Sequence, residues 1–415
     1  MNDKIEKNVF EKICEPLQPL LNETIRTLSS DSQEYKLSFG VFTINLVYGI
    51  ICRIKSIARL TVEIETSPVA RELGLVVASR SMYSESFRRY RPDLFRRIFA
   101  NLLLSCNFLA IPEIQSLGRI LLIDGSLFPA ISTMAWAKYK EGANALKMHL
   151  SFELNRMIPV HFLCTEGNYS EKAFLRDIVE KGVTYICDRG YISFEMFERI
   201  HKTEAFFVIR SKCNLLYCTI ESMTVEIPEC FLKFFDDIED TIIVFENDLA
   251  KIPYRIVKFT SLGESYVLTT NRYDLSTYQI IMLYAYRWQI ELYFRFLKRT
   301  LSGIHLWCVE PRGIEIQFYV YMIAHLLVLR FKQGCLPPTG TGSKQLSKKE
   351  DEAPSPATCR EKTKDGRFYV CGLVSLLGNK LKRVWKISIH WLVALKNVLT
   401  EKTNSNVMQI LAKYA

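Results

Sequence analysis

Two short apolar runs each lead straight into an aspartate. Arg119-Ile120-Leu121-Leu122-Ile123 ends on Asp124, and Val183-Thr184-Tyr185-Ile186-Cys187 ends on Asp188. Continuous apolar runs of this length suit strands covered on both faces, in a sheet flanked by helices. Between and after them the period changes repeatedly. Lys147–Asn155 and Met157–Leu163 read as strands joined by a polar bend, Glu171–Lys181 and Ser193–Lys202 as helices, and Ala205–Arg210 as a fifth strand. The order β-β-β-α-β-α-β predicts an α/β class. Acids at the ends of buried strands then face the crevice where open α/β sheets bind ligands.

On either side of this pattern the chain reads differently. Residues 1–115 are helical in period, with apolar residues three and four apart in Ile5–Leu21 and Phe39–Leu60. Ser67-Pro68 is a helix start, serine as cap and proline at the first helical position. Arg80–Arg97 interleaves arginines with aromatic residues, and 67–90 can hold a helix-turn-helix-like unit in which Arg88 and Arg89 contact DNA. A solvated amphipathic face accounts for the same residues equally well. The sheet-bearing segment is expected over 116–333, with a β-rich insertion at about 211–264, a strand at Ser265–Thr270 and helices at Leu275–Leu301 and Ile314–Lys332. Gly334–Gly366 is polar and rich in Pro, Gly and Ser, and predicts a flexible linker. Residues 367–415 read as a helical tail.

Composition narrows the function classes. Hydrophobic residues at 49% exclude a mostly disordered chain, and 54 Lys+Arg against 44 Asp+Glu gives a net charge of +10, which favours an anionic partner such as nucleic acid. Twelve cysteines form no C-x-x-C pair, so a structural zinc site is not expected. The first residues lack an apolar leader, and the apolar stretches Val41–Cys52 and Phe318–Phe331 are short for a bilayer. A cytoplasmic chain with no membrane partner is the expectation.

Asp124-Gly125 is also strong turn chemistry, and the Asp188 motif has the same alternative. A phosphatase-type D-x-D nucleophile is excluded because position 126 is Ser. Two neighbouring carboxylates repel unless a cation lies between them, and hard oxygen ligands select Mg²⁺ or Mn²⁺. A third acid comes from the helical stretch Tyr284–Lys298. Tyr284, Arg287, Glu291 and Lys298, spaced 3, 4 and 7, fall on one stripe of a continuous helix beside an apolar stripe of Leu283, Ile290, Phe294 and Leu297. By itself Arg287 with Glu291 is also an ordinary i,i+4 ion pair.

Taken together, Y-x2-R-x3-E-x6-K at Tyr284, Arg287, Glu291 and Lys298 resembles the YREK signature of bacterial insertion-sequence transposases with a DDE triad, insertion sequence family four. Asp124-Gly125-Ser126 resembles the first-acid motif of that family, Asp188-Arg189-Gly190-Tyr191 its second, and Leu268-Thr269-Thr270-Asn271 is also similar. The likeness runs from about 118 to 330. It implies a ribonuclease-H-like mixed five-stranded sheet with helices, beside the N-terminal helical domain, and a β-rich insertion in the 103-residue interval from Asp188 to Glu291. It implies catalysis by Asp124, Asp188 and Glu291, which hold two divalent ions, Mg²⁺ or Mn²⁺, with Tyr284, Arg287 and Lys298 on the DNA. The implied partners are double-stranded DNA, as terminal inverted repeats and target, and a second copy of the chain in a homodimer. The implied reaction is cut-and-paste transposition. The competing readings are a catalytically silent, transposase-derived DNA-binding protein and a structure-dependent nuclease on the same fold.

Overall fold

Helix-capping residues and strand periodicity recur where the sequence places them. The structure, a computed structural model, describes residues 8–28, 35–106, 112–130, 134–140, 143–212, 214–232, 234–261, 263–300 and 305–335. These divide into two compact units, one of residues 8–106 with 295–335 and one of residues 112–294. The expected linker and tail, from residue 336 onward, lie outside the described residues.

The first unit opens with α1 (Val9–Cys14), α2 (Gln18–Leu28), α3 (Phe39–Ile51), α4 (Ile57–Thr66), α5 (Pro68–Glu72), α6 (Arg80–Arg89) and α7 (Pro92–Leu104). Ser67 caps α5 by accepting from the Ala70 N–H, with Pro68 in the first turn, as the Ser-Pro pair predicts. Ser79 caps α6 in the same way through the Met82 N–H. Helix α3 is largely buried. Its Phe42 packs against Phe87 and Tyr90, and Asn45 donates to both the Val76 carbonyl and the Tyr83 hydroxyl.

The second unit is built on a ten-stranded sheet with strands β1 (Arg119–Pro129), β2 (Lys138–Lys140), β3 (Ala143–Glu153), β4 (Ile158–Glu166), β5 (Val183–Cys187), β6 (Phe206–Arg210), β7 (Tyr217–Ser222), β8 (Asp236–Phe245), β9 (Pro253–Ser261) and β10 (Glu264–Thr270). Its helices are α8 (Glu171–Asp177), α9 (Phe194–Lys202), α10 (Glu229–Leu232), α11 (Thr277–Tyr286) and the start of α12 (Trp288–Thr300). From β4 the strand order is β4-β3-β1-β5-β6-β10-β9-β8-β7, with the short β2 beside the start of β3. The five strands nearest the acids are therefore continued, not merely followed, by those of the 211–264 region. β10 carries that continuity, pairing β6 on one side and β9 on the other. Ile120, Leu121, Leu122 and Ile123 of β1 and Tyr185, Ile186 and Cys187 of β5 are fully buried, the burial expected of strands covered on both faces.

The segment just past β10 locks this edge. Asn271 accepts from the Phe207 N–H and donates to the Ala205 carbonyl. Arg272 lies over the Phe206 ring and donates to Thr184 Oγ1 and the Leu117 carbonyl. The Thr270-Asn271-Arg272 stretch thus ties the ends of β5, β6 and β10 together. The last element, α13 (Pro311–Cys335), packs on α7, α3, α6 and α1 of the first unit. The sequence pattern extended the sheet-bearing segment to residue 333, but α13 is apolar on several faces, and helices cover it. By length and hydropathy it could cross a membrane, yet most of its apolar stretch is buried within the protein.

Candidate functional site

Asp124 and Asp188 meet through strand register. β1 and β5 are parallel and their pairing ends at Ile123 opposite Cys187, so each aspartate is the next residue on its strand. One sequence expectation is corrected here. Asp124 does not end its strand, because β1 continues antiparallel to β3 as far as Pro129 opposite Ala145. Only its β5 neighbour stops, at Cys187. The Asp124 carboxylate accepts from the Gly125 N–H at 2.8 Å. Asp188 precedes a single 3-10 turn, Arg189–Tyr191, and accepts from the Tyr284 hydroxyl at 3.4 Å.

The third acid comes from a broken helix. The continuous stretch expected over Leu275–Leu301 is interrupted at Arg287, between α11 and α12. Arg287 keeps helical dihedrals (φ −51°, ψ −31°), but its N–H bonds the Tyr284 carbonyl and its own carbonyl takes the Ile290 N–H, i to i+3 steps that tighten the backbone. Tyr284 therefore sits on one helix and Glu291 on the next. The Arg287 guanidinium donates to Glu291 Oε1 at 2.6 Å, with 14% of its side chain exposed. Burial works against its charge, but Tyr284, Glu291, Asp188 and Asp124 outweigh it and hold Arg287 protonated. Arg287 thus supplies a fixed positive charge among the three acids. Lys298 lies two turns beyond Glu291 on α12 and is partly buried. Arg88 and Arg89 belong to α6 of the helical unit, where Arg88 pairs with Glu310 and Arg89 pairs with Glu85 beneath the Tyr35 ring.

At the site, Glu171, Lys147 and His149 went unread in the sequence, and Tyr191 was read only as part of the Asp188 motif. Glu171 opens α8, ion-pairs with Lys147 of β3 at 2.7 Å, and is close enough to raise the Asp124 carboxyl. Its sequence signal is an ordinary acid in the first turn of a helix. The Tyr191 hydroxyl, on a side chain 1% exposed, has no hydrogen-bond partner among the described residues. Burial, with Asp124 and Glu171 next, pushes its pKa well up and keeps it protonated. His149, opposite Gly125 on β3, is pushed down to about 4 by burial and then by Lys147, and stays neutral beside Tyr169 and Phe174.

Carboxylate oxygens from adjacent strands are a donor set suited to a hard divalent cation. The guanidinium among them shows that positive charge is called for. Among the described residues no three His, Cys, Asp or Glu side chains are placed to hold one ion as they stand, since Glu291 is turned onto Arg287.

Burial pushes the Asp124 carboxyl up from 3.8 to about 7, with Glu291 and Glu171 adding to it and Arg287 and the Gly125 N–H opposing. The folded state therefore keeps a proton that the unfolded chain gives up near pH 4. In metal-free protein, stability is greatest below that point, falls as pH rises toward about 7, and levels off above it, by on the order of 1 kcal/mol per pH unit. Thermal melts between pH 5 and pH 8 should show this fall, and Asp124→Asn should flatten it. An unchanged slope in the variant would assign the dependence to another group.

The chain is 29% identical over 218 residues to "Putative transposase y4zB" of Sinorhizobium fredii, covering 51% of this chain and 61% of that protein. It is 21% identical over 257 residues to "Probable transposase for insertion sequence element IS5377" of Geobacillus stearothermophilus, covering 61% and 68%. A similar relation, 24% over 211 residues, covering 50% and 58%, holds with "Putative transposase for insertion sequence element IS4SA" of Synechocystis. The match thus spans about six-tenths of the length of these relatives. Residues 115–327, just over half of the chain and including all three acids, match the family described as Transposase DDE domain, and the chain belongs to that family.

Proposed function

We propose that this chain is the transposase of an insertion sequence, of the YREK-bearing insertion sequence family four, and that it cuts the ends of its element and joins them to target DNA. The observation that carries the reading is the β1–β5 register, which sets Asp124 and Asp188 side by side where β5 ends, within a segment matching the DDE family. Strands β4-β3-β1-β5-β6, in that order and with β1, β5 and β6 parallel, support a ribonuclease-H-like core, extended by the insertion strands.

Asp124, Asp188 and Glu291 would hold two divalent ions, Mg²⁺ or Mn²⁺, and Glu291 would leave Arg287 to do so. Held by these acids, the ions would supply activation of an attacking oxygen and charge stabilisation for the leaving one in phosphodiester displacement. Arg287, freed from Glu291, can grip two phosphate oxygens, and Lys298 adds a point charge. Tyr284 holds Asp188 in place through its hydroxyl and adds a phosphate donor. Arg88 and Arg89, on the basic helix α6, would contact the terminal inverted repeats. Pairing of two ends calls for a homodimer, acting on nucleoid DNA in the cytoplasm.

The test uses purified full-length protein and the DNA flanking its own gene. With Mg²⁺, cleavage at the repeat boundary is expected, followed by products joined through the 3′-hydroxyl of the cut end. Binding without metal-dependent cleavage would favour the silent DNA-binding alternative. Cleavage without joined products would favour the nuclease.

A further inference from the structure

Each aspartate at the site is followed by a glycine, Gly125 directly after Asp124 and Gly190 two residues after Asp188. Neither glycine has a positive φ, so backbone freedom does not explain them. Space does, and one side chain fills it at both positions. A Cβ at Gly190 would fall 2.5 Å from Glu171 Oε2, and a Cβ at Gly125 would fall 3.3 Å from Glu171 Oε1. The two oxygens of a single carboxylate thus lie against strand β1 at Gly125 and the turn at Gly190.

Glu171 is itself held in place. Lys147 Nζ is 2.7 Å from Oε1, and Lys147 Cε would be 3.1 Å from the same Gly125 Cβ. The lysine and glutamate side chains are 14% and 28% exposed, so this is not a freely solvated surface pair. β3, β1, the turn after β5 and the start of α8 therefore meet at one ion pair.

We propose that Glu171, tethered by Lys147, is a positioning residue whose carboxylate wedges between β1 at Gly125 and the Gly190 turn and fixes the separation of Asp124 and Asp188. The inference rests on the reading that those aspartates hold divalent ions. Removing a group that orients metal ligands typically costs about 10–100-fold in metal affinity. Gly190→Ala pushes the carboxylate out, and Glu171→Ala removes it.

Mn²⁺ binding to the full-length protein, measured by calorimetry, tests this without relying on activity. Glu171→Ala and Gly190→Ala should each weaken Mn²⁺ binding by about tenfold or more, with gel-shift affinity for DNA little changed. The double variant should be no worse than Glu171→Ala alone, because the clash disappears with the carboxylate. Lys147→Met should repeat the loss and Lys147→Arg should restore binding, which covers the case of a Glu171 variant that folds poorly. Wild-type Mn²⁺ affinity in Glu171→Ala and Lys147→Met, or losses that multiply in the double variant, would overturn the inference alone. A wild-type protein that binds no Mn²⁺ would overturn the metal-ion reading as well.

Discussion

Asp188→Asn, Asp124→Asn and Glu291→Gln are each expected to lower Mg²⁺-dependent cleavage of element-end DNA by about a thousandfold or more, while gel-shift affinity for that DNA is retained. Loss of a carboxylate ligand removes several kcal/mol of transition-state stabilisation, and each 1.4 kcal/mol is about tenfold in rate. The three variants should agree in activity and differ in stability, because their carboxylates have different surroundings. Asp124→Asn removes an acid whose ionisation is opposed by burial, so at pH 8 it should melt higher than the wild type. Asp188→Asn keeps an oxygen to accept the Tyr284 hydroxyl and should be close to neutral. Glu291→Gln leaves the enclosed Arg287 without its ion-pair partner and should melt lower. Measurements of cleavage rate and melting temperature on the same preparations separate loss of chemistry from loss of fold. Wild-type cleavage rates in any one variant would remove that acid from the mechanism.

How much of this was legible depends on how local each signal is. β1 and β5 could be read because strands buried on both faces are unbroken apolar runs. The β1–β5 register could not, since nothing in either run says where pairing stops. The break at Arg287 was hidden by burial: Tyr284 and Tyr286 of α11 and Ile290 of α12 are all nearly inaccessible, so apolar periodicity passes through the junction undisturbed. β7 showed only as general β-rich alternation because it is a mostly exposed edge strand with little apolar pattern. Glu171 was read only as part of a helix. Its partners Lys147, Gly125 and Gly190 are far away in the chain, and a lone acid opening a helix is commonplace. α13 could be read as a helix, but a stretch apolar on several faces does not say which unit covers it.

The largest expected effect on stability lies away from the acids, in the buried pair of Asp240 on β8 and Arg255 on β9. Arg255 donates to both Asp240 oxygens, at 2.8 and 2.6 Å, and to the carbonyls of Arg272 and Leu275. The Thr277 hydroxyl donates to the same carboxylate at 2.7 Å. The pair therefore ties the insertion strands to the chain between β10 and α11, the helix that carries Tyr284. With 2% and 0% of the side chains exposed, Asp240→Ala strands a buried guanidinium and should cost about 3–5 kcal/mol. A control sits on the same two strands. Glu239 and Lys258 face each other across β8 and β9 at 2.8 Å, exposed by 60% and 35%, and Glu239→Ala should cost no more than about 1 kcal/mol. Urea unfolding of the two variants compares like with like, since both remove one carboxylate from one strand. The midpoint should drop several times further for Asp240→Ala, and cleavage should weaken with it as the α11 connection loosens. Equal midpoints would mean that the Asp240–Arg255 pair contributes no more than a solvated ion pair, and that the carbonyls of Arg272 and Leu275 are sufficient partners for the guanidinium.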